Sequence, residues 1–314
     1  MKKYISIILG ISSLALILLA SSCKKDDEVA STTQNIDEVI NSNPDFSLFA
    51  YAVKKANLDI FTKGGGPFTF FIPSNSGFAA LGINSTTDID NLDPLFLAIL
   101  TTYHFQGTKR TFYEIPEGPN ASMTSQAGNA QFGTRYKNTD KAYINGVELL
   151  DKGTITSNGI YYRIAEALYP SVFASAIAIM QGSSTNNFSL MLQAIAKTAT
   201  TTSFTTTAST VFIIPNSVMI ANGYDSTTIA NISGSAATTL TNILRYHVIP
   251  QRIFKSDFKV GNVVTRFTGN SVTISGTTAN YSIKGKNNAT AVPVGNGIVT
   301  GSGVTYNISQ MLKP

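Results

Sequence analysis

The feature that most constrains this 314-residue chain is that its only two histidines sit in the same local setting. Leu97-Ala98-Ile99-Leu100-Thr101-Thr102-Tyr103-His104 is answered, 143 positions on, by Leu240-Thr241-Asn242-Ile243-Leu244-Arg245-Tyr246-His247. Other segments repeat in the same order. Phe46-Ser47-Leu48 returns as Phe188-Ser189-Leu190, Phe70 to Asn75 as Phe212 to Ser217, and Arg110-Thr111-Phe112 as Arg252-Ile253-Phe254, all at an offset of 142. Ser157 to Ile164 returns as Gly301 to Ile308, and Leu168-Tyr169-Pro170 as Leu312-Lys313-Pro314, both at 144. Order and spacing kept together mark a duplication, and the unit has the size of a domain rather than of a solenoid repeat. The chain therefore divides into two homologous domains, 33–170 and 171–314.

Composition narrows the class. A hydrophobic content of 43% with 13% charged residues suits globular domains with full cores. The net charge is +5, and removing Lys2 and Lys3 with a leader leaves +3. That is too little, and too dispersed, for nucleic acid. A single cysteine excludes an internal disulfide framework.

That cysteine ends a targeting segment. Met1-Lys2-Lys3 is a basic start, Ile5 to Leu19 an apolar stretch shorter than the ~20 residues of a membrane span, and Ala20-Ser21-Ser22 supplies small residues. Residues 1–22 resemble a bacterial lipoprotein signal peptide, with Ala20 where that family usually has Leu. The resemblance implies that Cys23 is lipidated and becomes the new N-terminus; stable anchoring takes more than one acyl chain, and lipoproteins of this type carry several. Residues 23–32 form a polar linker. Its Lys24-Lys25-Asp26-Asp27-Glu28 reads either as a solvated start or as similar to the surface-export signal of Bacteroidetes lipoproteins.

Within each domain the order of elements is readable. Asn43-Pro44 opens a helix with Phe46, Phe49, Val53 and Ala56 on one face, matched by Phe188, Met191, Leu192 and Ile195. Lys63-Gly64-Gly65-Gly66-Pro67 is a turn, replaced in the second copy by a Thr-rich loop, Thr198 to Thr210. Phe68 to Ile72 and Thr210 to Ile214 are buried strands ended by Pro73 and Pro215, and Ser74 or Asn75 caps a short helix. The next helix carries Leu95, Ala98, Ile99 and Thr102 on one face, or Leu240, Ile243, Leu244 and His247 in the second copy. Each histidine is expected as a core residue with hydrogen-bonded ring nitrogens, in a position that also suits the negative end of the helix dipole. No zinc-type ligand cluster accompanies it. Lys109-Arg110 and Arg252-Lys255 follow, as solvated edges or as a contact surface for an acidic partner such as an anionic glycan. Ile160, Tyr162 and Ile164, and Val304, Tyr306 and Ile308, alternate with outward residues as half-buried strands, opened by Asn158-Gly159 and Ser302-Gly303 turns.

These boxes resemble the fasciclin domain. That family has a strand running into Pro-x-Asn and a short helix (Phe68 to Phe78; in Val211 to Val218, Pro215-Asn216 lacks the intervening residue). It has a helix ending Tyr-His (Tyr103-His104, Tyr246-His247), then a turn, an apolar strand and Leu-x-Pro (Asn158 to Pro170, Ser302 to Pro314). The resemblance implies an α+β fold: two tandem fasciclin-type domains, each a β-wedge of about seven strands with several helices. It also implies extracellular adhesion or matrix-type binding without catalysis or cofactor. Asp-Ile pairs linked to integrin binding in animal members are absent at Ala165-Glu166-Ala167 and Ser309-Gln310-Met311.

The leading expectation is thus an outer-membrane lipoprotein exposed at the cell surface. It would be held through Cys23 and would bind an extracellular protein or glycan. A glycan-capture subunit of a surface uptake system and a periplasmic envelope scaffold are the alternatives. For an enzyme the sequence offers only Ser256-Asp257-Phe258-Lys259, a Ser-x-x-Lys pattern without partner motifs. Asp225-Ser226-Thr227 resembles a Bacteroidetes O-glycosylation tripeptide.

Overall fold

A strand with apolar side chains at consecutive positions, such as Phe70-Phe71-Ile72, must be covered on both faces, and the architecture of each domain follows from one such strand. The computed structural model describes residues 29–137, 139–183, 187–277, 280–287, 290–291 and 297–314. The first domain contains β1 (Ala30–Ser31), β2 (Phe68–Pro73), β3 (Phe105–Gln106), β4 (Gly118–Thr124), β5 (Ala130–Arg135), β6 (Ala142–Ile144), β7 (Val147–Glu148), β8 (Thr154–Thr156) and β9 (Gly159–Ile164). They form one sheet in the order β1-β8-β9-β2-β3 and a second in the order β4-β5-β6-β7. At its centre β2 runs parallel to β9, from Phe68 opposite Gly159 to Pro73 opposite Ile164.

Phe70 and Ile72 point from β2 into a layer of helices, where they meet Phe49, Val53, Leu97 and Leu100. Phe71 points the other way and packs with Ile144, Ile160, Tyr162 and Ile164 beneath the second sheet. Phe70, Phe71 and Ile72 are all fully buried, each contributing about 1.5–3 kcal/mol of transfer free energy. The alternation of Ile160, Tyr162 and Ile164 read from the sequence is present in β9.

The second domain repeats this plan with β10 (Ser209–Ile213), β11 (Val248–Ile249), β12 (Gly261–Val264), β13 (Ser271–Thr277), β14 (Asn280–Lys284), β15 (Thr290–Ala291), β16 (Ile298–Val299) and β17 (Gly303–Asn307). The sheets are β11-β10-β17-β16 and β12-β13-β14-β15, with β10 parallel to β17. The fold is the α+β tandem expected. Among the described residues the domains show nine and eight strands, several only two residues long.

Several local readings differ. Leu95 is 70% exposed, and the buried positions of helix Pro94–Thr102 are Leu97, Leu100 and Thr101. That face is the exact counterpart of Leu240, Ile243 and Leu244 at the histidine offset, so the repeat, not the local apolar count, identified the core side. The Thr-rich loop contains a helical turn, Thr201–Thr205, anchored by fully buried Phe204. Its hydroxyls bond back along the turn, Thr206 Oγ1 to Thr202 O at 2.6 Å. Gly159 and Gly303 open β9 and β17 with ordinary φ; a Cβ there would collide with the carbonyls of Phe68 and Ser209. Close strand approach, not turn conformation, requires glycine. Thr305, expected outward, is 2% exposed; it lines a cleft together with Leu168 and Tyr169 of the first domain. Ala30 and Ser31, within the expected linker, pair parallel with β8.

Candidate functional site

Helix Pro94–Thr102 starts at Asp93, whose side chain accepts the Phe96 N–H at 2.9 Å, and it delivers Tyr103 and His104 to the interior. His104 is fully buried. Its Nε2 lies 2.8 Å from the backbone nitrogen of Leu168, which can only donate, so Nε2 accepts. Nδ1 therefore carries the proton and donates to Leu100 O at 2.8 Å. His247 repeats this: Nε2 accepts from Leu312 at 2.9 Å and Nδ1 donates to Ile243 O at 2.7 Å. Burial depresses both imidazoles to about 4, outweighing the carbonyl that favours the charged form. The helix-dipole argument for a charged ring therefore loses to desolvation. Neither nitrogen is left for a metal ion or for proton transfer. The ring of His104 also packs edge-on to Phe49 at 5.7 Å and beside Phe78 at 6.5 Å. One residue thus joins helix Ser47–Lys55, the short helix Asn75–Ala79 after β2 and the Leu-x-Pro box.

Each tyrosine serves the second sheet. Tyr103 donates to Ala130 O at 2.6 Å and accepts from Asn145 Nδ2 at 2.7 Å. Tyr246 donates to Ser271 O at 2.6 Å and accepts the Lys286 N–H at 3.2 Å. Burial pushes both phenols up. The Tyr-His pair is a fastening device between layers.

Hydrogen bonds also settle the register of the repeat. Asn75 Oδ1 accepts the Leu48 N–H, and Asn216 Oδ1 the Leu190 N–H, both at 3.0 Å. The two asparagines are therefore equivalent, at offset 141, and it is the proline that has slipped by one. Thr69 Oγ1 donates to Thr108 O and accepts from Arg110 N; Thr210 Oγ1 donates to Gln251 O and accepts from Ile253 N. Tyr162 donates to Arg110 O and Tyr306 to Ile253 O. Arg110 thus corresponds to Ile253, and Lys109 to Arg252, one position off the Arg-x-Phe match read from the sequence.

The four basic residues part company accordingly. Lys109 is exposed, while Arg110, Arg252 and Lys255 are half-buried. Arg110 is tied to its own domain, with Nε 3.4 Å from Gln106 Oε1 and Nη1 donating to Glu114 O at 3.1 Å. Arg252 turns into the junction between the domains. Its guanidinium lies 3.8 Å over the ring of Phe132, and its carbonyl accepts from Asn120 Nδ2 at 2.7 Å. Around it Phe254 packs on Phe132 with ring centroids 6.1 Å apart, and Tyr136 donates toward Ser256 O at 2.7 Å and Asp257 Oδ1 at 2.9 Å. Phe132 belongs to the apolar core of the second domain.

The Fasciclin domain model matches residues 44–170 and 186–314. The chain belongs to the fasciclin domain family. Protein sll1483 of Synechocystis sp. is 30% identical over 143 residues, 44% of this chain and 75% of that protein. A solved FAS1 domain pair from the insect cell adhesion molecule fasciclin I is 13% identical, with TM-score 0.41, over 87% of this chain and 98% of its own.

Among the described residues, no group of three or more His, Cys, Asp or Glu could hold a metal ion, and no helix is long and apolar enough to cross a membrane. In the second fasciclin domain Ser256 Oγ is buried without a hydrogen-bond partner, so it forms no pair with Lys259. Cys23 and Lys24 to Glu28 lie outside the described residues. Sequence reasoning missed Thr69 and Thr210; their separations from Arg110 and Ile253 differ, 41 and 43 residues, and the usable signal was a threonine within each otherwise apolar strand. It also missed Asn158, which is buried and bonds Ile36 N, Thr62 O and Gly64 O.

Proposed function

We propose that the chain is a lipid-anchored, non-catalytic protein of the outer membrane that binds a partner outside the cell, presenting two fasciclin domains as one paired unit. The observation that carries this reading is the pairing of tandem fasciclin domains, a type known in cell adhesion proteins, with a lipoprotein-like segment ending at Cys23. Both Tyr-His pairs are consumed internally, so partner contact falls to the outer surface. The partner is an extracellular protein or glycan, and nucleic acid is disfavoured by the small net charge.

Protease shaving of intact cells tests the orientation. Loss of the protein's antibody signal supports surface display. Signal retained until the outer membrane is broken refutes it and favours a periplasmic envelope scaffold. A glycan-capture role is separated by a saturable glycan-array signal that Tyr→Ala changes at exposed tyrosines abolish.

A further inference from the structure

Between the domains lies a pocket of about 230 Å³, with Asn120 and Tyr136 on one wall and Gln251, Arg252, Asp257 and Lys259 on the other. It is a product of the tandem arrangement. In the first domain the equivalent turn carries exposed Lys109 and exposed Glu114, and Glu114 is used up capping Thr111 at 2.7 Å. In the second domain the same turn lies against the first domain's β4-β5 hairpin, and its Arg252 and Asp257 are drawn inward.

Two fully buried atoms here have no hydrogen-bond partner: Arg252 Nε, a donor, and Asn120 Oδ1, an acceptor. Buried polar atoms are nearly always satisfied, so both await a group that the protein does not supply. Their needs are complementary. With its face stacked on Phe132, Arg252 keeps the Nε edge of its planar fork for an in-plane acceptor, the geometry that suits a carboxylate. Asn120 Oδ1 needs an N–H or O–H donor. Lys259 is exposed at the rim, so two cations face one carboxylate, Asp257, whose Oδ1 takes the Tyr136 hydroxyl at 2.9 Å and whose Oδ2 caps the Phe254 N–H at 3.2 Å as Glu114 caps Thr111.

We propose that this pocket binds a small polyhydroxylated carboxylate, of sugar-acid size and chemistry, with its carboxylate on Arg252 and its hydroxyls on Asn120 and Asp257. The site does not depend on where the chain is anchored or on what its outer surface adheres to.

Calorimetric titration of the full-length protein with D-glucuronate, with D-glucose and acetate as controls, tests it. Saturable binding of glucuronate is expected, with glucose and acetate each about tenfold weaker or more. Arg252→Gln should weaken glucuronate by at least about tenfold, while Lys109→Gln, at the equivalent exposed position, should leave it unchanged. If Arg252→Gln does not fold, Lys259→Gln at the rim should still weaken binding severalfold. The proposal is overturned if glucuronate shows no saturable heat at millimolar concentration, the two atoms then being served by water alone. Equal binding of glucose overturns it too, as does glucuronate binding that neither Arg252→Gln nor Lys259→Gln weakens.

Discussion

Acidification from pH 7 to pH 5 should destabilise this protein through its two histidines. Each imidazole titrates near 6.5 in an unfolded chain and at about 4 in the fold. A depressed pKa means that the fold holds the neutral ring. The stability contribution is therefore complete above about pH 6.5 and is lost as the pH falls toward 4. Linkage gives about 1.4 kcal/mol per unit of pH in that window, hence about 2 kcal/mol per histidine at pH 5 and roughly 3.4 kcal/mol once both states are protonated. Against a domain stability of about 5–15 kcal/mol, that is a large fraction. Other groups act elsewhere or oppositely. Hydrogen bonds hold the Asp88, Asp90, Glu114 and Asp225 carboxyls below their usual range, so they act at lower pH. Burial raises the Asp257 carboxyl, which favours the fold as pH falls. The assay is urea unfolding at pH 7 and pH 5 of the wild type and of a His104→Gln/His247→Gln variant, in which a non-titrating acceptor can still face Leu168 and Leu312. The variant should be weaker at pH 7 but much flatter with pH. A wild type equally stable at both values, or a variant with the same slope, would refute the argument, as would imidazole NMR titrations near 6.5.

Asn75→Ala and Asn216→Ala should each cost about 1–3 kcal/mol, because a helix-start N–H loses its acceptor; thermal or urea unfolding reads this directly, and no loss would show that water replaces the side chain. His104→Ala should exceed the same 1–3 kcal/mol, since it removes bonds to both Leu100 and Leu168 and leaves a void beside Phe49 and Phe78; full stability with lost binding would make the residue functional instead. Gly146→Ala should loosen the junction of the domains, because φ is +81° and the new Cβ would lie 2.7 Å from Phe254 Cβ; spin-label distances between the domains should broaden while each domain stays folded. Cys23→Ala should release the protein from membranes, and membrane retention of this variant would remove the lipid anchor from the proposal.

What could be read from the chain were the features that both copies must keep. The Tyr-His helices, the Leu-x-Pro boxes and the alternation of Ile160, Tyr162 and Ile164 all repeat, because each is fixed by contacts within one domain. Errors of one position arose where letters match but partners do not. Arg110 and Arg252 align as residues, yet the backbone N–H groups that bond Thr69 and Thr210 belong to Arg110 and Ile253. The helix Ile36–Ser42 escaped notice although Asn35 and Glu38 form a capping box, with both reciprocal bonds at 2.9 Å. Nothing in either copy could show that Arg252 lies over Phe132, since contacts between domains leave no periodicity in the sequence.

The departures from the repeat are informative in their own right. At the equivalent turn position the first domain has Thr111, with its hydroxyl bonded to Glu114 at 2.8 Å, and the second has Phe254, packed on Phe132 and Gly146 of the first domain. Two residues earlier in each domain, Lys109 is exposed and Arg252 is half-buried. The backbone cap survives, with Asp257 accepting the Phe254 N–H at 3.2 Å, but a duplicated domain standing alone would have no reason to replace a self-satisfied hydroxyl with a large aromatic. Exposed, Phe254 would cost the roughly 1.5–3 kcal/mol that its burial returns. The second domain is therefore shaped to be covered by the first at this turn, whereas the first remains open at its own. Adhesion that relied on two independent, interchangeable modules would not need this asymmetry, and a paired unit with one composite junction does.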